Sequence, residues 1–228
     1  ANDALSDMMY VGTGDGLVSY TSVVPTGTNN LIHNDDNDGI IGEWTLYPSL
    51  QSVSDVVCAP NMTYGLANGN LMSVNMQTNE VRSYDKSDGL SGSNICHLQY
   101  DDSTKQTILI YTNGMIDMIR YNTIYPVADL YMKSADVEVV PNQAFVHSGR
   151  MYLAMPFGIV EINLVKREIV GTYYIGDEAA AVNVLSVTAT DDSIYAMTDK
   201  YLYSIAKTGY AIDYRQWNKT PWSVGENR

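Results

Sequence analysis

Residues 83–95 read "SYDKSDGLSGSNI", a run of serine, glycine and aspartate that returns to apolar residues at Ile95. Such a run is a phosphate-cradling loop, a metal loop, or a seam between copies of a repeated unit. A phosphate loop requires a glycine-rich turn that follows a strand and opens a helix. Here the run leads into "NICHL" (94–98), which has the character of a strand. The seam reading therefore directs the search toward a repeat.

Five segments superimpose as one unit: "YVGTGDGLVSY" (10–20), "YGLANGNLMSV" (64–74), "LIYTNGMIDMI" (109–119), "YLAMPFGIVEI" (152–162) and "YAMTDKYLYSI" (195–205). Each has a short apolar strand, a turn of Gly, Asn, Asp or Pro, and a second, alternating strand. Asn68-Gly69 and Asn113-Gly114 tolerate the positive φ that tight hairpins demand. The apolar residues after the turns, Leu17, Leu71, Ile116, Ile159 and Leu202, lie 54, 45, 43 and 43 residues apart. That spacing matches the four-stranded blade of a β-propeller.

Short apolar runs precede the later hairpins at 53–57, 94–98, 143–147 and 184–188, and are predicted as inner strands around an axis. More polar runs at 80–85 and 167–175 are predicted as outer strands. No segment longer than about ten residues carries a helical period. The predicted fold is all-β: a β-propeller of four-stranded antiparallel blades with about five recognisable blade units. Residues 1–40 read as a poorly matched first hairpin unit and acidic linker, and 41–228 as the blades.

With 13 Lys and Arg against 26 Asp and Glu, the formal charge is −13. That field opposes nucleic acid and anionic lipid. No apolar run reaches the roughly 20 residues of a membrane span. The opening "ANDALSDMMY" shows no signal-peptide pattern, as expected also of a mature exported chain whose leader has been removed. The 18 Tyr against 2 Phe suit half-buried strands whose hydroxyls reach water. Cys58 and Cys96 give no disulfide framework; one bridge or two free thiols are both open.

Candidate sites have simpler readings. Asn34, Asp36, Asp38 and Gly39 take positions one, three, five and six of a calcium loop, but Thr45 stands where the bidentate acid belongs and Glu43 comes two residues early. A solvated acidic linker is the better description, so no cofactor is assigned. His33, His97 and His147 lack the thiolate or carboxylate pattern of a zinc site. His97 and His147, near the ends of inner strands, could still meet at one mouth of the axis. Asp101-Asp102 and Asp191-Asp192 fall where turns follow inner strands, which Asp favours without catalysis. Trp44, Tyr47, Trp217 and Trp222 read as packing of the closing blade or as exposed partner anchors. Met8, Met9, Met115, Met118 and Met155 read as fillers between sheets. No catalytic or metal residue is assigned, and the binding residues are left open.

Two resemblances bear on function. "GLSGSNI" (89–95), followed by Asp101-Asp102, resembles the crossover of bacterial regulator-type propeller repeats, and "YVGTGDGL" (10–17) resembles their closing turn with Tyr10 in place of Trp. More extensively, "IGEWTLYPSLQSVSDVV" (41–57), "SYDKSDGLSGSNI" (83–95), "IYTNGMIDMI" (110–119), "FGIVEINLVKREIVGTY" (157–173) and "YAMTDKYLYSI" (195–205) resemble the N-terminal propeller of PorZ-type proteins of the type IX secretion system. The resemblance implies an exported, non-enzymatic interaction domain at the outer cell surface or in the periplasm. Its partners would be proteins of a surface or secretion complex, or a glycan, and its work the processing or anchoring of secreted cargo. The alternatives are a ligand-sensing extracytoplasmic propeller of a two-component regulator and a polysaccharide lyase or hydrolase.

Overall fold

The computed structural model describes residues 7–13, 16–22, 44–48, 53–121, 123–134 and 138–221. The chain divides into two compact units, Ala1–Ser52 and Val53–Arg228. In the first, β1 (Asp7–Thr13), β2 (Gly16–Ser22) and β3 (Trp44–Pro48) form an antiparallel sheet in that order. The first predicted hairpin is thus present, with Trp44 and Tyr47 on β3 paired to Tyr20 and Leu17. The acidic run 34–39, His33 and Trp222 lie outside the described residues.

The second unit holds four four-stranded antiparallel sheets. They comprise β4 (Val53–Ala59), β5 (Met62–Ala67), β6 (Asn70–Asn75) and β7 (Val81–Tyr84); β8 (Ile95–Asp101), β9 (Gln106–Tyr111), β10 (Ile116–Arg120) and β11 (Thr123–Val127); β12 (Gln143–His147), β13 (Arg150–Met155), β14 (Gly158–Asn163) and β15 (Glu168–Tyr173); and β16 (Ser186–Ala189), β17 (Ser193–Met197), β18 (Tyr201–Ala206) and β19 (Asn218–Pro221). Each follows chain order, so every blade is a meander. The first strands lie side by side around the hub, β4 against β8, β8 against β12 and β12 against β16. The four sheets of this unit do not by themselves close into a ring.

Burial explains the sequence pattern. Three apolar clusters fill the gaps between successive sheets. The two middle sheets are covered on both faces, so β9 is buried along its whole length and β14 on all but its last residue. That is why "ILIY" (108–111) and "GIV" (158–160) run apolar without alternation, while Gln106, Thr107 and Glu161 are buried as polar residues. The last sheet alternates: Tyr203 and Ile205 are each 3% exposed, whereas Leu202 is 41% exposed. Leu202, the apolar residue after the turn, lies on the open face, and Tyr203, one residue later, fills the core. With one face to bury, the strand turns its aromatic set inward. Met118 and Met155 fill the core on strands, but Met115 sits in the β9–β10 turn.

The seam at 83–95 is fixed by buried acid. Asp85 and Asp88 form a capping box around the single 3-10 turn Lys86–Asp88, which Gly89 ends with φ +99°. Leu90 enters the core between the first two sheets of the unit. Ser91 then donates from its amide and hydroxyl to Asp117 on β10 at 2.8 and 2.5 Å. The Tyr111 hydroxyl donates to the same carboxylate at 2.6 Å. Asp117 is fully buried, and burial together with this bond raises the Tyr111 phenol above its usual range.

Asp117→Ala would leave three donors without an acceptor, two of them from the seam. An unsatisfied buried donor costs roughly 1–3 kcal/mol and a charged hydrogen bond about the same, so the expected loss is about 3 kcal/mol in urea unfolding. Ser91→Ala should cost about 1 kcal/mol alone and little more when added to Asp117→Ala, because the two share one network.

Candidate interaction surface

Each inner strand is the edge of its own sheet, so its hub-facing backbone groups need partners from elsewhere. The neighbouring blade supplies them. Asp55 of β4 accepts from the Leu98 amide at 2.9 Å, and Gln143 of β12 accepts from the Val187 amide at 2.7 Å. Asn142 donates to the Val184 carbonyl at 2.7 Å. His97 Nε2 lies 2.9 Å from the Pro141 carbonyl; a carbonyl only accepts, so this nitrogen carries the proton.

These contacts assign most of the polar candidates to structure. Asp101, 3% exposed, closes the turn after β8. It accepts from Ser103 and Thr104 and reaches the next blade through the Gly149 amide at 3.2 Å. Burial pushes its carboxyl up, but these hydrogen bonds outweigh burial and hold it below the ordinary value. His147 Nε2 lies 2.9 Å from Asp191 on the next blade. The two histidines do not converge: His97 meets the chain just before β12, and His147 is the last residue of that strand. Five extended residues separate the contacts by more than about 10 Å.

Trp217, read as packing of the closing blade or as an exposed anchor, takes a packing role and is 6% exposed. It packs in the last core, its ring 6.3 Å from that of Tyr173 and its Nε1 donating to the Ala211 carbonyl. Cys58 and Cys96 are free thiols, and burial pushes that of Cys96 up to about 11. Among the described residues no group of three or more His, Cys, Asp or Glu is placed to hold a metal.

The crossovers lie at the end of the blades that carries the second-to-third-strand turns. The two are joined there: the Ile95 amide donates to the Gly69 carbonyl, the Thr112 amide to the Asn94 carbonyl and the Val184 amide to the Met155 carbonyl. The crossover after β11 rests on Gly114 (φ +85°), where a Cβ would sit 3.0 Å from Val139 and 3.1 Å from the Tyr131 amide. This close seat holds a 3-10 turn, Tyr131–Lys133, over the sheet of β12–β15. Tyr131 and Met132 project from it, 47% and 77% exposed. Beside them lies an apolar notch of about 260 Å³ lined by Leu130, Lys133, Phe157, Val160, Ile169, Thr172 and Tyr174. The Phe157 and Tyr174 rings stand 6.0 Å apart. Exposed aromatic and methionine side chains on a rigid seat are the chemistry of protein contact.

The family model for the N-terminal β-propeller domain of PorZ, of the type IX secretion system, matches residues 63–218. The chain belongs to this family. No curated protein matches it. Among solved structures it is similar to PorZ of Porphyromonas gingivalis, described as an essential bacterial surface component of the type IX secretion system, with 23% identity and a TM-score of 0.69. That match covers 75% of this chain and 23% of the other, so the chain spans about a quarter of that protein's length. It is also similar in fold to the extracellular domain of a protein described as a one component system, BT4673, of B. thetaiotaomicron, with 14% identity and a TM-score of 0.53 over 89% of this chain and 25% of that one. The AfRom2 CNH domain, at 9% identity, gives a TM-score of 0.53 over 95% of this chain and 69% of that one. Among the described residues no helix is long and apolar enough to cross a membrane.

Asp101 gives the inter-blade ladder a pH signature. Its folded-state carboxyl is held down, so its contribution is complete above the unfolded value near 3.9 and is lost as pH falls through the lower folded value. Asp101→Asn should lower the melting temperature at pH 7 and flatten its decline below about pH 4. Thermal melts from pH 7 to pH 2.5 check this.

Proposed function

We propose that this propeller is a non-enzymatic protein-binding module of a type IX secretion component, exported to the outer surface or periplasm. Through its partners it serves the processing or anchoring of secreted cargo. Family membership over residues 63–218 carries the reading. The disposition of polar side chains supports it. Asp55, Asp101, Asp117, His97 and Gln143 are engaged in hydrogen bonds that build the blades and join them. The reactive residue types of the hub thus have structural work to do, while Tyr131, Met132 and Tyr174 are presented outward without a fold role of that kind. Scaffolded loops of this sort are where rigid folds place recognition.

The test is affinity isolation from outer-membrane extracts of a bacterium that uses type IX secretion, with the intact chain as bait. Wild type is expected to recover other components of the secretion apparatus. The Met132→Glu, Tyr174→Ala double variant should recover at least about fivefold less, a loss of about 1 kcal/mol in binding, while melting within about 2 °C of wild type. Equal recovery by the two baits would refute this surface as the contact.

A further inference from the structure

We propose that a second cleft, between the β12–β15 sheet and the loop following β18, binds a carboxylate carried on an apolar body about the size of one aromatic ring. The cleft measures about 440 Å³, within the range of ligand pockets. Its polar groups are Arg150, Tyr152, Glu161, Tyr173 and Lys207. Glu161 is already engaged, accepting from the Tyr173 hydroxyl and lying 3.2 Å from Arg150 Nη1.

The donors are not satisfied. Arg150 Nη1 is buried and, despite that ion pair, lacks the alignment of a hydrogen bond. Tyr152 is 1% exposed, and its hydroxyl has no hydrogen-bond partner among the described residues. Lys207 has no carboxylate partner among them either, and its Nζ stands 5.9 Å from the centre of the Tyr152 ring. Burial pushes the Tyr152 phenol up to about 12, so it remains a donor at neutral pH.

Lys207 and the Tyr152 hydroxyl, neither of which has such a partner, and Arg150, ion-paired to Glu161, thus line one cleft whose own acceptor is occupied. Two cations against one carboxylate leave a local charge of +1 in a chain of −13. A carboxylate brings two acceptor oxygens and a single negative charge. A dianion would be repelled by Glu161, and a cation by Arg150 and Lys207. Val170, Ile194 and Ile212 supply apolar wall for the body that carries the carboxylate.

The carboxylate could belong to a free organic acid or to the last residue of a peptide. Titration of the 228-residue chain with 3-phenylpropanoate, followed by amide NMR, is expected to shift resonances of residues 206–212 with a Kd of about 1 mM. The neutral 3-phenylpropanamide should bind at least about tenfold more weakly. Lys207→Gln, at a solvent-reached position, should weaken the acid about tenfold and leave the melting temperature unchanged, and Lys207→Arg should restore it. N-acetyl-Ala-Phe with a free carboxyl, binding at least about tenfold tighter than its C-terminal amide and tighter than 3-phenylpropanoate, would identify a chain terminus as the source. Equal affinity of peptide acid and propanoate would identify a small acid. Absence of binding, equal binding of acid and amide, or displacement by inorganic phosphate at equal concentration would overturn the proposal.

Discussion

An inner strand at the hub has one sheet neighbour and one bare edge, and the bare edge must find hydrogen bonds from a different blade. Asp55 to Leu98 and Gln143 to Val187 are two solutions to that requirement. Both use a side chain of one inner strand to bond an amide of the next, so blade contact and backbone satisfaction are a single event. The apolar clusters between sheets supply most of the stabilising area, yet they are not directional. The ladder sets the register in which that area is buried.

The same constraint explains why acidic and amide residues stand near the axis without a catalytic role. Asp101 is buried because it bridges a turn to the Gly149 amide of the next blade. His97 is held by a carbonyl, and His147 by an aspartate one blade further on. Chemistry-bearing residues recur at blade spacing because the backbone need recurs at blade spacing. Function is then left to surfaces the ladder does not use: the seat around Tyr131 and Met132, and the cleft around Arg150 and Lys207.

Much of the architecture was legible in the sequence because turns are local. Asn68-Gly69 and Asn113-Gly114 carry their conformation in two residues, and the hairpins formed where those residues placed them. Strand facing was harder to read. Leu202 and Tyr203 are both apolar enough for the core, and only the tertiary decision about which face is covered separates them. The bulges between Val53 and Asp55 and between Ile95 and His97 were also hidden; they coincide with Asp55 and His97 reaching the neighbouring blade, contacts distant in sequence. Arg150, Glu161 and Lys207 belong to no motif in the sequence. Their convergence depends on two sheets meeting and on the loop after β18, none of which has a local signature.

The clasp on Asp117 imposes an order of assembly. Ser91 finds its acceptor 26 residues further along the chain, on the third strand of the following blade. In a polypeptide that emerges amino end first, the link between two blades therefore stays unfixed until the later hairpin has arrived to lock it from ahead. The joint between these two blades is thus secured from ahead, by the meander that follows it.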